Sequence, residues 1–254
     1  MTVDPLQAFR LDGRVVVLTG ASSGLGVGFA HALGAVGAKL VLAARREHEL
    51  EAVVGRLRAD EIDAVSIASD VSEPDNCRAI AELAMQHFGR LDVLVNNAGT
   101  ASATPALRED PAVFRRVVEV NLSAAFWMAQ ACAPHMGEGA SIVNVSSVLG
   151  HIAPRFPNAA YAASKAGVIG LTRDLAQEWT ARRGIRVNAL CPGYFDSEMT
   201  ADGKPRIEEM LRTYSILPRF GTQRELDSAL IFLASNASSY ITGTSLLVDG
   251  GLSA

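Results

Sequence analysis

Cysteine is scarce and scattered in this chain. Cys77, Cys132 and Cys191 are the only three in 254 residues. An odd number, with no CxxC pair and no histidine-rich context, excludes a disulfide framework and a zinc site, and reads as reduced core residues. Basic clusters are missing too. With a net charge of −4 and no cationic run beyond Arg45-Arg46, Arg115-Arg116 and Arg182-Arg183, the chain lacks the footprint that a phosphate backbone requires, so nucleic acid is not expected as a partner. No apolar stretch approaches membrane-spanning length, and the opening "MTVDPLQAFRLDG" carries an acid and a proline where a secretory leader needs a basic start and an apolar run. A cytoplasmic protein without a membrane partner is expected. Linkers and low-complexity segments are also absent, so residues 1–254 are expected to form a single domain.

What is present is a rhythm. At 49% hydrophobic and 20% charged residues the chain can bury a large core. The short apolar runs "RVVVLTG", "KLVLAAR", "AVSIASD", "DVLVNNAG", "SIVNVSS", "IRVNALCPG" and "SLLVDGG" alternate with longer segments of helical periodicity. The runs are nearly continuous rather than alternating, as strands covered on both faces require. The expected fold is therefore an α/β three-layer αβα sandwich around a mostly parallel, about seven-stranded sheet. The least regular stretch, about 193–221 with Pro205 and Pro218, reads as a substrate loop or lid.

Two segments carry chemistry. After the first strand, "TGASSGLG" (Thr19 to Gly26) leads straight into a helix. Glycines at 20, 24 and 26 let the chain turn tightly and bring backbone N–H groups and a positive helix end to a pyrophosphate. In "NAAYAASKAGVIG", residues 158–170, Tyr161 and Lys165 stand one helical turn apart on one face. A phenol with a pKa of about 10 works near neutrality only if roughly 3 to 4 kcal/mol favours phenolate. A cation about 4 Å away supplies on the order of 4 kcal/mol at an effective dielectric of about 20. Taken alone, the pair is equally an ordinary amphipathic helix pair.

"TGASSGLG", "NNAG" at 96–99, "VEVNL" around Asn121, "NVSS" ending at Ser147, "YAASK" and "PG" at 192–193 occur in one order along the chain. In that order and spacing the sequence resembles the single-domain short-chain dehydrogenases/reductases over essentially its whole length. The resemblance implies a Rossmann-type fold, a nicotinamide cofactor and a catalytic set of Asn121, Ser147, Tyr161 and Lys165. In the family's scheme Tyr161 exchanges a proton with the substrate oxygen, Ser147 hydrogen-bonds that oxygen, Lys165 holds the ribose hydroxyls and Asn121 holds a relay water. It also implies cofactor contacts from Gly20, Ser22, Ser23, Gly24, Leu25 and Gly26, from Asp70 and Val71 at the adenine, and from Asn97, Ala98 and Gly99. Pro192, Gly193, Phe195 and Ser197 complete them, Ser197 standing where the family usually has threonine. No metal is implied. Asn96 resembles the residue that steadies the central sheet, and Ser146 reads as a strand-end residue. Asp70 has a second reading as the cap of a helix starting near Pro74. Family members commonly assemble through the helices that here carry Asn121 and Tyr161. Apolar Val113, Val117, Phe126, Leu171, Leu175 and Trp179 on those helices point to a homotetramer.

Cofactor choice turns on the second strand's end. NAD sites usually place an acid there for the ribose 2′-OH, but here Ala44 is followed by Arg45 and Arg46, which suit a 2′-phosphate. NADP(H) is favoured and NAD(H) stays possible. The expected function is NAD(P)(H)-dependent hydride transfer between nicotinamide and a small-molecule carbonyl or secondary alcohol. A medium-sized substrate fits the apolar pocket segments best, and a sugar or polyol stays open. The alternative is a catalytically weak nucleotide-binding regulator of the same fold.

Overall fold

The computed structural model describes residues 4–153 and 155–254. Seven strands, β1 (Val15–Thr19), β2 (Lys39–Ala44), β3 (Ala64–Ala68), β4 (Val93–Asn96), β5 (Ser141–Val145), β6 (Arg186–Pro192) and β7 (Ser245–Val248), form one sheet in the order β3-β2-β1-β4-β5-β6-β7. Every pairing is parallel. This is the doubly wound Rossmann-type arrangement. The winding reverses between β1 and β4, which opens a crevice at the carboxyl ends of the strands.

Nine α-helices lie among the described residues: α1 (Leu25–Ala35), α2 (Glu47–Ala59), α3 (Pro74–Phe88), α4 (Pro111–Val118), α5 (Ala124–Cys132), α6 (Ala159–Arg183), α7 (Glu198–Ala201), α8 (Lys204–Tyr214) and α9 (Gln223–Ala234). The period-two rule of a strand sorts them into layers. Val16 and Leu18 of β1 pack with Phe29, Leu50 and Leu230 beneath α1, α2 and α9. Val15 and Val17 point the other way, to Ile80, Met128 and Leu175 of α3, α5 and α6. Both faces of β1 are covered, which is why its sequence is apolar without alternation. The three cysteines are buried and free.

The structure departs from the sequence expectations in four places. The helix expected to carry Asn121 is interrupted, because α4 gives way to a π-helical turn at Glu119–Ser123 before α5 begins. Such turns commonly mark functional positions, and this one carries Asn121. Second, the 193–221 stretch is not irregular. Ser197 and Thr200 form a capping box that starts α7, and Pro205 sits in the first turn of α8, where its missing N–H has no helical partner to lose. Third, Asp70 does not cap α3, whose N-cap is Glu73. Its carboxylate instead accepts from the Ser72 N–H and hydroxyl and from Arg116. Fourth, the apolar positions expected to serve assembly are divided between core and surface, two buried, three partly buried and one exposed. Val117 and Leu175 are each 2% exposed, and Phe126, Leu171 and Trp179 pack against the core. Val113, 43% exposed, keeps an open face beside Phe114 on α4.

Candidate active site

The glycine turn fits a dinucleotide. Gly20 has φ +66, and a Cβ there would stand 2.8 Å from the Ala98 Cα. A Cβ on Gly26 would stand 2.2 Å from the Gly20 carbonyl oxygen. Neither position tolerates a side chain without moving backbone, so the chain keeps a shallow cradle at the β1 end. Helix α1 starts there with no side-chain cap and no acid in its first turn, leaving its N–H groups and positive dipole end to an anion. Ser22, Ser23 and Leu25 are half-buried along the turn, and a Cβ on Gly24, at φ +53, would stand 3.7 Å from the Ser197 Cβ.

The ends of β1 and β4 are stitched together across this cradle. The Thr19 hydroxyl accepts from the backbone N–H groups of Asn97 and Ala98, each at 3.0 Å. The Asn97 side chain donates back to the Thr19 and Gly20 carbonyls at 2.9 and 3.2 Å. Gly99 follows at the centre of the crevice. A Cβ there would come within 3.4 Å of Asn121 Oδ1 and 3.6 Å of Lys165 Nζ.

Asn121 is held on all sides. Its Oδ1 accepts from Thr100 N–H at 2.8 Å, and its amide donates to the Thr100 carbonyl at 2.9 Å and to the Ser164 hydroxyl at 3.0 Å. Ser164 in turn donates to the Tyr161 carbonyl at 2.8 Å. With both amide hydrogens committed, the side chain of Asn121 fixes the loop after β4 to α6.

Ser147 follows β5 in extended backbone, and its hydroxyl accepts from Leu149 N–H at 3.1 Å. Ser146 turns away and donates to the Lys165 carbonyl at 2.8 Å, which is a strand-end role. Lys165 is 4% exposed. Its ammonium donates to the Val145 carbonyl at 2.7 Å and lies 5.6 Å from the centroid of the Tyr161 ring. Burial pushes Lys165 down to about 8. Burial pushes the Tyr161 phenol up, and the nearby Ser147 hydroxyl draws it partly back. This is opposite to the lowering expected from Lys165 alone. The ammonium is bound to a strand carbonyl rather than to the phenol, and the apolar surroundings of the ring disfavour phenolate.

At the other end of the crevice Ala44 is buried and Arg45 and Arg46 are exposed. Arg46 reaches across to Glu198 of α7 at 3.4 Å. Burial raises the Asp70 carboxyl, but hydrogen bonds from Ser72 and Arg116 outweigh it and hold the group below the usual carboxylate range. Val71 packs its side chain among core residues, so only its backbone is left to face a base. Pro192 ends β6, a Cβ on Gly193 would stand 2.7 Å from the Asp249 Cα, and Phe195 is buried while Ser197 caps α7. Sequence reasoning missed Thr19, Ser164 and Arg116. The first two lie inside the quoted motifs. Arg116 offers no local signal, because its partner Asp70 is 46 residues away.

Asn96 links the sheet to this site. Its amide donates to the Ala125 carbonyl and to Asn144 Oδ1 on β5, and Asn144 donates to Thr172 of α6.

Comparison with known proteins agrees with this fold. Residues 20–253 match a family model described as enoyl-(acyl carrier protein) reductase. The chain is 41% identical over 256 residues to galactitol 2-dehydrogenase (L-tagatose-forming) of Cereibacter sphaeroides, the match covering 98% of each chain. The crystal structure of a short-chain type dehydrogenase/reductase from Mycobacterium marinum matches with a TM-score of 0.93 at 32% identity, over 98% of this chain and 99% of that one. That of a gluconate 5-dehydrogenase from Burkholderia cenocepacia, in complex with NADP and tartrate, matches with a TM-score of 0.93 at 36% identity, again over 98% and 99%.

Proposed function

The chain belongs to the short-chain dehydrogenase/reductase family, and on that premise we propose that it interconverts a carbonyl and a secondary alcohol with Tyr161 as general acid and base. The observation that carries the reading is the buried Lys165 ammonium one turn from Tyr161, with Ser147 against the phenol. The bound nicotinamide supplies or accepts the hydride. Everything else falls to the chain. The glycine turn and α1 hold the diphosphate, and Lys165 holds ribose hydroxyls from the floor of the crevice. Ser147 donates to the substrate oxygen and polarises the carbonyl. Tyr161 Oη, whose pKa burial raises, gives its proton to that oxygen in reduction and, as the phenolate, takes it back in oxidation.

NADP(H) is the favoured cofactor, supported by Arg45 and Arg46 at the end of β2 and by Ala44 where an acid would meet a bare ribose. The free, buried cysteines fit a reducing compartment. A homotetramer through α4 and α6 is supported by exposed Val113 and Phe114. The test is a panel of ketones, aldehydes and secondary alcohols, polyols among them, followed at the absorbance of the reduced nicotinamide with both cofactors. Turnover of one class supports the reading. Tight dinucleotide binding without turnover of any would make the protein a nucleotide-binding regulator instead.

A further inference from the structure

A cavity of about 880 Å³ lies between the loop after β5 and helix α8. Its apolar wall comes from Ile152, Phe156, Met210 and Leu252, which belong to the same cluster that packs the Tyr161 ring. Two guanidiniums also line it, and they are cross-braced. Arg155 of the loop lies over the ring of Tyr214 on α8 at 3.5 Å, and Arg206 of α8 lies over the ring of Phe156 in the loop at 4.5 Å. A guanidinium held on a ring face keeps its N–H groups in its own plane, free to donate sideways. No ion pair among the described residues involves Arg155 or Arg206. Glu209 is the one acidic side chain on the cavity wall, facing two arginines, and Ala254 lines the wall too.

We propose that this cavity selects oxo and hydroxy acids, with Arg155 and Arg206 holding the substrate carboxylate while the reacting carbon lies at Tyr161. The inference rests on the hydride-transfer reading of the Tyr161 site and narrows its substrate class. A planar carboxylate matches the planar fork of an arginine, and the apolar wall takes the methylenes between the two ends. The aromatic partners come from opposite sides of the cavity, so the guanidiniums are positioned before a ligand arrives, which lowers the ordering cost of binding.

Calorimetry on the protein saturated with oxidised cofactor tests this with levulinate and its next two homologues, each beside its methyl ester. The best-fitting acid is expected to bind about tenfold or more tightly than its ester, as a charge-assisted bidentate contact provides. In the Arg155→Gln/Arg206→Gln double variant the acid-to-ester ratio is expected to fall toward one. Equal binding of acid and ester by the unaltered protein overturns the proposal, and so does failure of every acid to bind; neither result depends on a variant that folds. Turnover separates the two readings. Reduction of acids and esters alike keeps hydride transfer and overturns acid selection, whereas acid-selective binding without turnover keeps the carboxylate site and overturns hydride transfer.

Discussion

The Lys165 ammonium is anchored to the Val145 carbonyl at 2.7 Å, one strand-end away from Ser147. That tether places a cation at the floor of the crevice without letting it collapse onto the phenol. Its burial lowers the group to about 8 from the ordinary 10.5.

A pH dependence follows. The ammonium is present below about 8 and lost above it, so kcat/KM for the cofactor is expected to fall as pH rises past that value. The folded protein binds fewer protons than the unfolded chain between about 8 and 10.5, so this group's contribution makes stability rise over the same window. Activity and stability are therefore expected to move in opposite directions there. A cofactor kcat/KM profile that stays flat through that window would show that the charge on Lys165 is not used.

Asn121→Ala removes the partner of both Thr100 backbone groups and of the Ser164 hydroxyl. Leaving these part-buried backbone groups unpaired costs toward the lower end of about 1–3 kcal/mol. A loss of that size in chemical denaturation is expected, with a fall in kcat that exceeds any change in cofactor affinity. An unchanged denaturation midpoint together with unchanged kcat contradicts the positioning role.

Cofactor choice is tested at the β2 end. Charge-assisted bonds contribute roughly 1.5 to 3 kcal/mol, so a preference for NADPH of about tenfold or more is expected. Ala44→Asp should reverse it. Glu198→Gln frees Arg46 from its exposed partner and should raise the preference by a few-fold at most, since such pairs are weak. A wild-type preference for NADH, read as the ratio of kcat/KM values, removes the phosphate site.

Arg116 is expected to act on the cofactor through Asp70. It holds Asp70 at 2.7 Å and the Ser72 hydroxyl at 2.8 Å, and at 3.3 Å it reaches Glu119, where the π-helical turn begins. Arg116→Ala is expected to raise the cofactor KM several-fold while kcat changes less, with Arg116→Lys restoring part of the loss. The same variant should shrink the stability lost on acidification, because Asp70 is held low only while its partners remain and that contribution disappears as pH falls through its carboxylate range. A kcat defect with unchanged KM would assign Arg116 elsewhere.

Much of the fold was legible because burial on both faces of a strand leaves a continuous apolar run, and β1 and β2 show it plainly. The glycine turn was legible because Gly20 and Gly26 have no room for a side chain. The π-helical turn was not. It sits where Asn121 takes up both backbone groups of Thr100, 21 residues away, and no local pattern encodes that. The helices of the 193–221 stretch were hidden behind prolines read as breakers, although Pro205 occupies a helix's first turn. In the site, spacing gave the Tyr161 and Lys165 pair. The Val145 anchor and the cross-braced Arg155 and Arg206 join elements distant in sequence, so only the folded chain displays them.

The most direct measurement is Tyr161→Phe, with dinucleotide affinity by fluorescence titration and turnover on the best substrate measured on the same folded preparation. Proton transfer at Tyr161 Oη predicts nearly unchanged affinity and a kcat lower by about two to four powers of ten, the range general acid–base catalysis supplies. A folded Phe variant that binds the dinucleotide and turns over at close to the wild-type rate would contradict the account.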